Sequence, residues 1–268
     1  MKIGMITDSL GELSFDDLLG TAAELGIERL EFAAGNWSRA PHLTLDRMLD
    51  SAPAREEFMV RLRDHGLLIS ALNCSGNPLH PGEPGRQHDR VTRDTIRLAS
   101  LMGVERVVMM SGCPGAPGDS HANWITVEWT QKILRYQWEE VLIPYWRNLV
   151  AYSRGLGVGK LCLELHGHQN VYSVSTFFRL RDAVGETVGV NFDPSHLLWM
   201  GADPLAAIAA LGSAIYHVHA KDTRLEPEAL ALDGRIEIRP AEDFTQRAWN
   251  YVTLGRGHDE AWWRRFCQ

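Results

Sequence analysis

Three short stretches of the sequence place an acid or an imidazole where an apolar run ends. They are residues 161–168, 190–196 and 216–222. Their candidate groups, Glu164, Asp193 and His219, are 29 and 26 residues apart, about the length of one βα unit. Because neighbouring parallel strands lie roughly 4.8 Å apart, side chains at three consecutive strand ends can converge on one point.

Two carboxylates and one imidazole are ligands that suit Mn²⁺, Mg²⁺, Co²⁺ or Zn²⁺, and no cysteine joins them as a structural zinc site would require. A shared cation would also offset the cost of burying the carboxylates. As a Lewis acid it would stabilise the enediolate formed when a hydroxy-ketone loses a proton, and a neighbouring carboxylate would be the base. A single such residue is usually a capping group, but three on successive strands predict a metal or catalytic centre.

The elements around these groups read as alternating strands and helices, which is typical of a parallel α/β fold. No Gly-x-Gly-x-x-Gly turn follows the first strand, which disfavours a dinucleotide-binding sheet and favours a TIM-type (β/α)8 barrel. No eighth strand can be found before Gln268. We therefore expect one barrel domain, residues 1–268, truncated so that the eighth βα unit is missing. The candidate strands are residues 2–7, 28–33, 67–73, 105–110, 160–165, 188–192 and 214–219.

The composition excludes several classes of protein. The net charge of -7 gives no basic footprint for nucleic acid or an anionic membrane, and it disfavours cleavage of DNA phosphodiesters. No run approaches the ~20 apolar residues that span a bilayer, and Met1-Lys2-Ile3-Gly4 reads as a strand rather than a signal peptide. The four cysteines are scattered, and the three that lie in or beside apolar stretches predict buried, reduced thiols rather than disulfides or a metal site. Cytoplasmic residence is the resulting expectation.

Some segments allow two interpretations. Residues 111–148 contain four tryptophans and are expected to form a helix packed on the barrel, with a sugar-stacking wall or a homodimer contact as the alternative. Residues 223–254 are expected to be a solvated loop, although long loops at this end of a barrel are often lids. Gly255-Arg256-Gly257 could bind an anion through its amides but is expected to be a turn.

The ordered motifs Glu164-Leu-His166, Asp193-Pro-Ser-His196 and His217-Val-His219-Ala-Lys221-Asp222 resemble those of a known family. They are similar to the xylose-isomerase-like barrels of the sugar phosphate isomerase/epimerase group, which includes ketose 3-epimerases, inosose dehydratases and, more distantly, endonuclease IV. The likeness covers nearly the whole chain, including Glu31 and Gly255-Arg-Gly-His258-Asp-Glu. It is strongest over residues 160–223.

The resemblance implies a role for each matching residue. Glu164 would be both a metal ligand and an acid/base group, and Asp193 and His219 would be further ligands. The substrate would be bound by His196, His166 and Lys221. The cofactor would be one divalent ion, with Mn²⁺ before Mg²⁺, Co²⁺ or Zn²⁺. His217 is interpreted as structural, on the side of its strand opposite to His219.

The resulting hypothesis is a metal-dependent isomerase or epimerase of carbohydrate metabolism, which moves a proton next to the carbonyl of a sugar through an enediolate. One departure from the family matters, because its fourth ligand and second catalytic carboxylate is a Glu on the missing eighth strand. A lyase or dehydratase acting on a keto-sugar or inosose is therefore an alternative. A non-catalytic sugar-binding or partner subunit is another.

Overall fold

The computed structural model describes residues 2–268 and contains one large parallel sheet. Its seven strands lie in chain order, so that each strand pairs with the next strand along the sequence. Each of these seven strands falls within its predicted range, and the prediction of seven parallel strands is confirmed. They are β1 (Gly4–Ile6), β2 (Arg29–Ala33), β3 (Leu68–Asn73), β4 (Arg106–Met109), β5 (Lys160–Glu164), β6 (Val188–Phe192) and β7 (Ile215–Val218).

In the part of the chain that the structure describes, the sheet curls into a TIM-type barrel without an eighth βα unit, as the sequence predicted. Within residues 2–268, no strand pairs with the outer edges of β1 and β7. A cavity of about 910 Å³ lies between these two edges and reaches up to the carboxyl ends of the strands. Met5, Ile6, Val218 and Phe266 form part of its apolar lining.

Eleven α-helices surround the strands in the described chain. Ser14 caps the first of these helices by accepting a hydrogen bond from the Asp17 amide, and Asp203 caps the ninth, with Pro204 in its first turn. In the part of the chain described, no helix combines the length and apolar character needed to cross a membrane. They are α1 (Phe15–Glu24), α2 (Leu45–Asp50), α3 (Ala52–Asp64), α4 (Glu83–Met102), α5 (Gln131–Tyr136), α6 (Ile143–Gly155), α7 (Val174–Val184), α8 (Pro194–Met200), α9 (Pro204–Leu211), α10 (Pro227–Asp233) and α11 (Glu260–Phe266).

The barrel interior is filled by small side chains and one aromatic ring. Ala71, Val108 and Cys162 point inward and pack against Tyr216. Gly189 makes room for this ring, since a Cβ atom there would lie 2.1 Å from it. The prediction of buried thiols is confirmed for three cysteines, which are free and buried. They are Cys74, Cys113 and Cys162.

The tryptophan-rich segment is helical over its second half, as expected. A π-helical turn (Gln137–Leu142) joins α5 to α6, so the helix continues from residue 131 to residue 155. Trp138 and Trp146 are buried against the barrel, and the Trp146 indole donates a hydrogen bond to the Ser111 carbonyl oxygen, 2.9 Å away. Packing is therefore the role of these two rings, whereas Trp129 is exposed.

The long excursion after β7 is not simply a solvated loop, and that prediction is wrong for its two ends. They pair as an antiparallel hairpin of β8 (Asp222–Leu225) and β9 (Trp249–Val252). Trp249 stacks on Trp199 of α8 with ring centroids 4.9 Å apart, which fixes the hairpin against the barrel rim. The sequence could not show this pairing, because twenty-three residues separate the two strands.

Candidate metal and substrate site

Glu164 is the centre of a buried polar cluster at the carboxyl end of the barrel. It is the last residue of β5, and its register places it beside Asn191 of β6. Its Oε1 atom lies 2.8 Å from His196 Nε2, while Oε2 accepts a hydrogen bond of 2.8 Å from Asn191 Nδ2. Oε2 also lies 3.1 Å from His219 Nδ1. Both oxygens therefore face groups that can exchange protons.

Asp193 follows β6 and is the N-cap residue of α8, where its Oδ1 atom accepts a hydrogen bond from the Ser195 amide. Its other oxygen, Oδ2, faces the site and lies 3.0 Å from Lys221 Nζ and 3.4 Å from His196 Nε2. One oxygen is thus used to begin a helix, and the other is available for a ligand.

His219 lies one residue beyond β7, and its amide continues the sheet by donating to the Phe192 carbonyl oxygen, 2.9 Å away. The imidazole enters the cluster, and one ligand atom each of Glu164, Asp193 and His219 lies within 4.8 Å of the others. The predicted convergence of these three groups is observed. Whether they bind a metal stays a prediction.

The three residues predicted to bind substrate lie around the same carboxylates. The rings of His166 and His196 have centroids 3.9 Å apart, and His196 is buried. Lys221 Nζ lies 3.1 Å from His196 Nε2 and 4.3 Å above the ring of Tyr251. All three are therefore close enough to contact a molecule that reaches Glu164.

Neighbouring histidine and lysine side chains determine the ionisation of the two carboxylates in this cluster. Burial alone would raise the pKa of Glu164, but His196 and His219 outweigh it and hold this pKa well below its ordinary range. Burial similarly opposes the ionisation of Asp193, yet His196 and Lys221 lower its pKa. Glu164 and Asp193 are consequently carboxylates at neutral pH, the form that binds a cation or accepts a proton.

The pKa values of the imidazoles in the site are shifted in two directions. Burial alone lowers the pKa of His196 and His219, but the carboxylates outweigh it and raise both pKa values above the ordinary range. At His166 burial and the nearby His196 outweigh the effect of Glu164 and lower the pKa to about 4. His166 is therefore neutral near pH 7 and can both donate and accept a hydrogen bond.

The donor set fits a divalent ion. Glu164 and Asp193 bring two buried carboxylates together with His219, and two neighbouring carboxylates favour a bound cation. Within the described residues, the buried Oδ1 atom of Asn191 has no hydrogen-bond partner. This unpaired oxygen lies beside the carboxylates, as expected for a site that binds a ligand.

The prediction that His217 points to the opposite side of its strand from His219 is wrong. Residues two apart in a strand share a face, and His217 points into the barrel with His219. His217 Nε2 lies 2.7 Å from Glu31 Oε2, which is also 2.9 Å from His219 Nε2. Glu31 was predicted from the sequence only as part of the likeness to the family. Its signal was present, since it too is an acid in the second half of an apolar strand.

Tyr251 is a further residue of the site that the sequence did not reveal. It lies on β9 of the hairpin, and its hydroxyl oxygen is 2.8 Å from His196 Nδ1. Burial, with Asp193 adding to it, raises the pKa of Tyr251 well above its ordinary range, so the hydroxyl keeps its proton. No periodicity in residues 223–254 indicates which of their side chains returns to the barrel.

The sequence of this chain matches a known protein family and a known relative. The family model described as a xylose isomerase-like TIM barrel matches residues 19–267. Uncharacterized protein YfiH of Bacillus subtilis (strain 168) is 53% identical over 272 residues, which cover 99% of this chain and 87% of that protein. The match therefore includes both the barrel strands and the hairpin.

Solved structures share the fold at low sequence identity. The probable 3-DHS dehydratase AsbF of Bacillus anthracis has a TM-score of 0.65 and 18% identity, over 97% of this chain and 86% of that one. A D-tagatose 3-epimerase-like protein has a TM-score of 0.61 and 20% identity, over 84% of this chain and 77% of that one. Epimerases and a dehydratase are therefore both among the structural neighbours.

Proposed function

Because this chain belongs to the xylose isomerase-like TIM barrel family, we propose that it is a divalent-metal-dependent isomerase or epimerase of a sugar. In this proposal it moves a proton on the carbon next to a carbonyl group. Neighbours described as a dehydratase and an epimerase-like protein support this class of chemistry. The assignment of roles to residues depends on the geometry of the site itself.

The observation that carries the proposal is the environment of Glu164. A buried carboxylate whose pKa is lowered is ionised near neutral pH, and both of its oxygens face the site rather than the backbone. Oε1 is 2.8 Å from His196 Nε2, so an imidazole N–H faces the carboxylate and can supply a proton when the reaction needs an acid. Such a group is suited to general acid/base work.

The other residues have binding and orienting roles. Glu164, Asp193 and His219 would hold Mn²⁺ or a similar ion, which, when bound, would polarise the carbonyl group and stabilise the negative charge that develops on its oxygen. His196 and Lys221 would orient hydroxyl groups of the sugar by hydrogen bonds. The neutral His166, with its pKa of about 4, would donate or accept a hydrogen bond without adding charge.

A dehydratase acting on a keto-sugar or inosose is the second candidate, and one contact favours it. Lys221 Nζ lies 3.0 Å from Asp193 Oδ2 and 3.1 Å from His196 Nε2, so an ammonium donor lies beside His196, which in turn contacts the base Glu164. Elimination requires that pair, because one group removes a proton while the other protonates the departing hydroxyl. Epimerisation instead returns a proton to the same carbon.

A deuterium experiment separates these candidates. Metal-stripped protein is loaded with Mn²⁺ and incubated in D₂O with free and phosphorylated ketoses, and in parallel with 3-keto sugars and inosose. The proposal predicts deuterium beside the ketose carbonyl in a Mn²⁺-dependent reaction. Loss of water from the keto compounds without ketose exchange would establish the dehydratase, and sugar binding without either reaction would establish a non-catalytic subunit.

A further inference from the structure

Glu31 lies across the barrel from Glu164 and is held on both of its oxygens. Asn73 Nδ2 donates a hydrogen bond of 2.7 Å to Oε1. Oε2 lies 2.7 Å from His217 Nε2 and 2.9 Å from His219 Nε2, so two imidazoles donate to it. Three donors on one buried carboxylate fix its orientation, because rotating it would break all three contacts.

The second ring nitrogen of His219 points the other way, into the metal site. Nδ1 lies 3.0 Å from Asn191 Nδ2 and 3.1 Å from Glu164 Oε2. The Asn191 amide must direct its NH₂ group here, because Glu164 Oε2 at 2.8 Å accepts from the same nitrogen. An NH₂ group cannot accept a hydrogen bond, so of these two neighbours only Glu164 Oε2 can take a proton from Nδ1, and this is the oxygen that would turn to a bound ion.

We propose that Glu31 is a positioning residue that keeps the proton of His219 on Nε2 and leaves the Nδ1 lone pair directed at the metal. This inference rests on the proposed function, because it takes His219 to be a ligand. Asn73 and His217 then serve to hold Glu31. The network explains why His217 occupies the same face as His219 and why Glu31 is buried on a strand distant from the other carboxylates.

General metal chemistry supports this division of roles. A metal-bound histidine usually donates its other N–H to a carboxylate, which fixes the ring and makes the ligand nitrogen more basic. Loss of that carboxylate costs about 10–100-fold in metal affinity, whereas loss of a ligand removes a bond to the ion itself. The size of the effect therefore distinguishes a positioning residue from a ligand.

Calorimetric titration of metal-stripped protein with Mn²⁺ tests the inference. Glu31→Gln should bind Mn²⁺ about 10–100-fold more weakly than the wild type. Glu105→Gln is the matched control, because it removes the same charge from a surface residue paired with Lys160 and Arg106. Its affinity should stay within about twofold, since exposed ion pairs contribute little.

Each other outcome has a definite meaning. Wild-type protein that binds no Mn²⁺ would overturn the proposed function together with this inference. Wild-type binding with equal affinity in Glu31→Gln and Glu105→Gln would overturn the inference alone. A loss in Glu31→Gln as large as that in Asp193→Asn would make Glu31 a ligand and would overturn its positioning role.

A second measurement needs no variant and holds even if Glu31→Gln fails to fold. In ¹H–¹⁵N spectra of the Zn²⁺-loaded wild-type protein, the ring proton of His219 should be attached to Nε2. A proton on Nδ1 would leave that nitrogen unable to bind the ion, and it would overturn the inference.

Discussion

Glu164 and Asp222 are both buried carboxylates at a strand end, yet they are surrounded in opposite ways. Asp222 begins β8, and six N–H groups lie around its two oxygens. Four are backbone amides and two belong to side chains, and five of the six lie 2.8–3.0 Å away. The donors are the amides of Thr223, Gly255, Gly257 and His258, together with His258 Nδ1 and, at 3.4 Å, Trp263 Nε1.

The groups that contact the Glu164 carboxylate all belong to side chains. Among the described residues, no backbone amide fixed by the fold donates to it. Backbone donors around Asp222 are fixed and complete, so its carboxylate stabilises the fold. The turn at Gly255-Arg256-Gly257 does bind an anion through its amides, and that anion is the carboxylate of Asp222. Side-chain donors around Glu164 can exchange protons or give way to a ligand.

The largest expected effect comes from Glu164→Gln, which should lower the turnover of the enzyme by about 10³-fold, as expected for loss of a general base. It should also weaken Mn²⁺ binding, because a ligand charge is lost. The free energy of unfolding of the metal-free protein should also fall, because His196 and His219 lose the carboxylate that faces them. Turnover, Mn²⁺ titration and denaturant unfolding measure these three quantities. Unchanged turnover would remove Glu164 from the mechanism.

Asp222→Asn should lower stability without affecting Mn²⁺ binding. The amide NH₂ group would face backbone N–H donors, and leaving such buried groups unsatisfied costs about 2–3 kcal/mol of unfolding free energy. Mn²⁺ affinity should stay at the wild-type value. Asp243→Asn is the control, because Asp243 is exposed on the same excursion. Loss of Mn²⁺ binding without loss of stability would contradict the distinction between the two carboxylates.

The stability contributed by Asp222 should depend on pH. Burial alone would raise the pKa of Asp222, but His258 and the amides outweigh it and lower this pKa below its unfolded value of 3.8. The contribution is therefore fully present above pH ~4 and is lost as the pH falls through the lower, folded value. The difference in unfolding free energy between wild type and Asp222→Asn should be constant from neutral pH to pH ~5 and shrink in stronger acid. A difference that grows in acid would contradict this sign.

The seven strands and three residues of the candidate metal site could be predicted from the sequence. Buried parallel strands are nearly continuous apolar runs, which is why each of the seven was found. Glu164, Asp193 and His219 followed from these strands, since each stands where a run ends. His217 was placed on the wrong face although the period of two already required it to share the face of His219.

Other parts of the site depend on contacts between residues distant in sequence. Glu31 is 188 residues from His219, and only the closing of the sheet into a barrel brings the two together. Tyr251 reaches His196 because β9 pairs with β8 and Trp249 stacks on Trp199. Neither the pairing nor the stacking leaves a periodic signal in the sequence.

The smallest expected effect is that of Tyr251→Phe. This substitution tests whether the hairpin contributes to catalysis as well as to the fold. The substitution removes the hydroxyl that contacts His196 Nδ1 and leaves the aromatic ring in place. Loss of one hydrogen bond costs about 0.5–1.5 kcal/mol, which corresponds to a decrease in kcat of up to about tenfold. Mn²⁺ affinity should remain close to wild type, because the ligands are untouched, and the unfolding free energy should fall by no more than the same ~0.5–1.5 kcal/mol.

Tyr152→Phe is the matched control, since its hydroxyl contacts a backbone carbonyl oxygen of α4, away from the site. A change in the NMR signals of the His196 ring in Tyr251→Phe, absent from Tyr152→Phe, would link the lower kcat to the lost contact. Equal kcat in the two variants would mean that the hairpin only covers the site. In that case Tyr251 would belong with Asp222 among the residues that stabilise the fold.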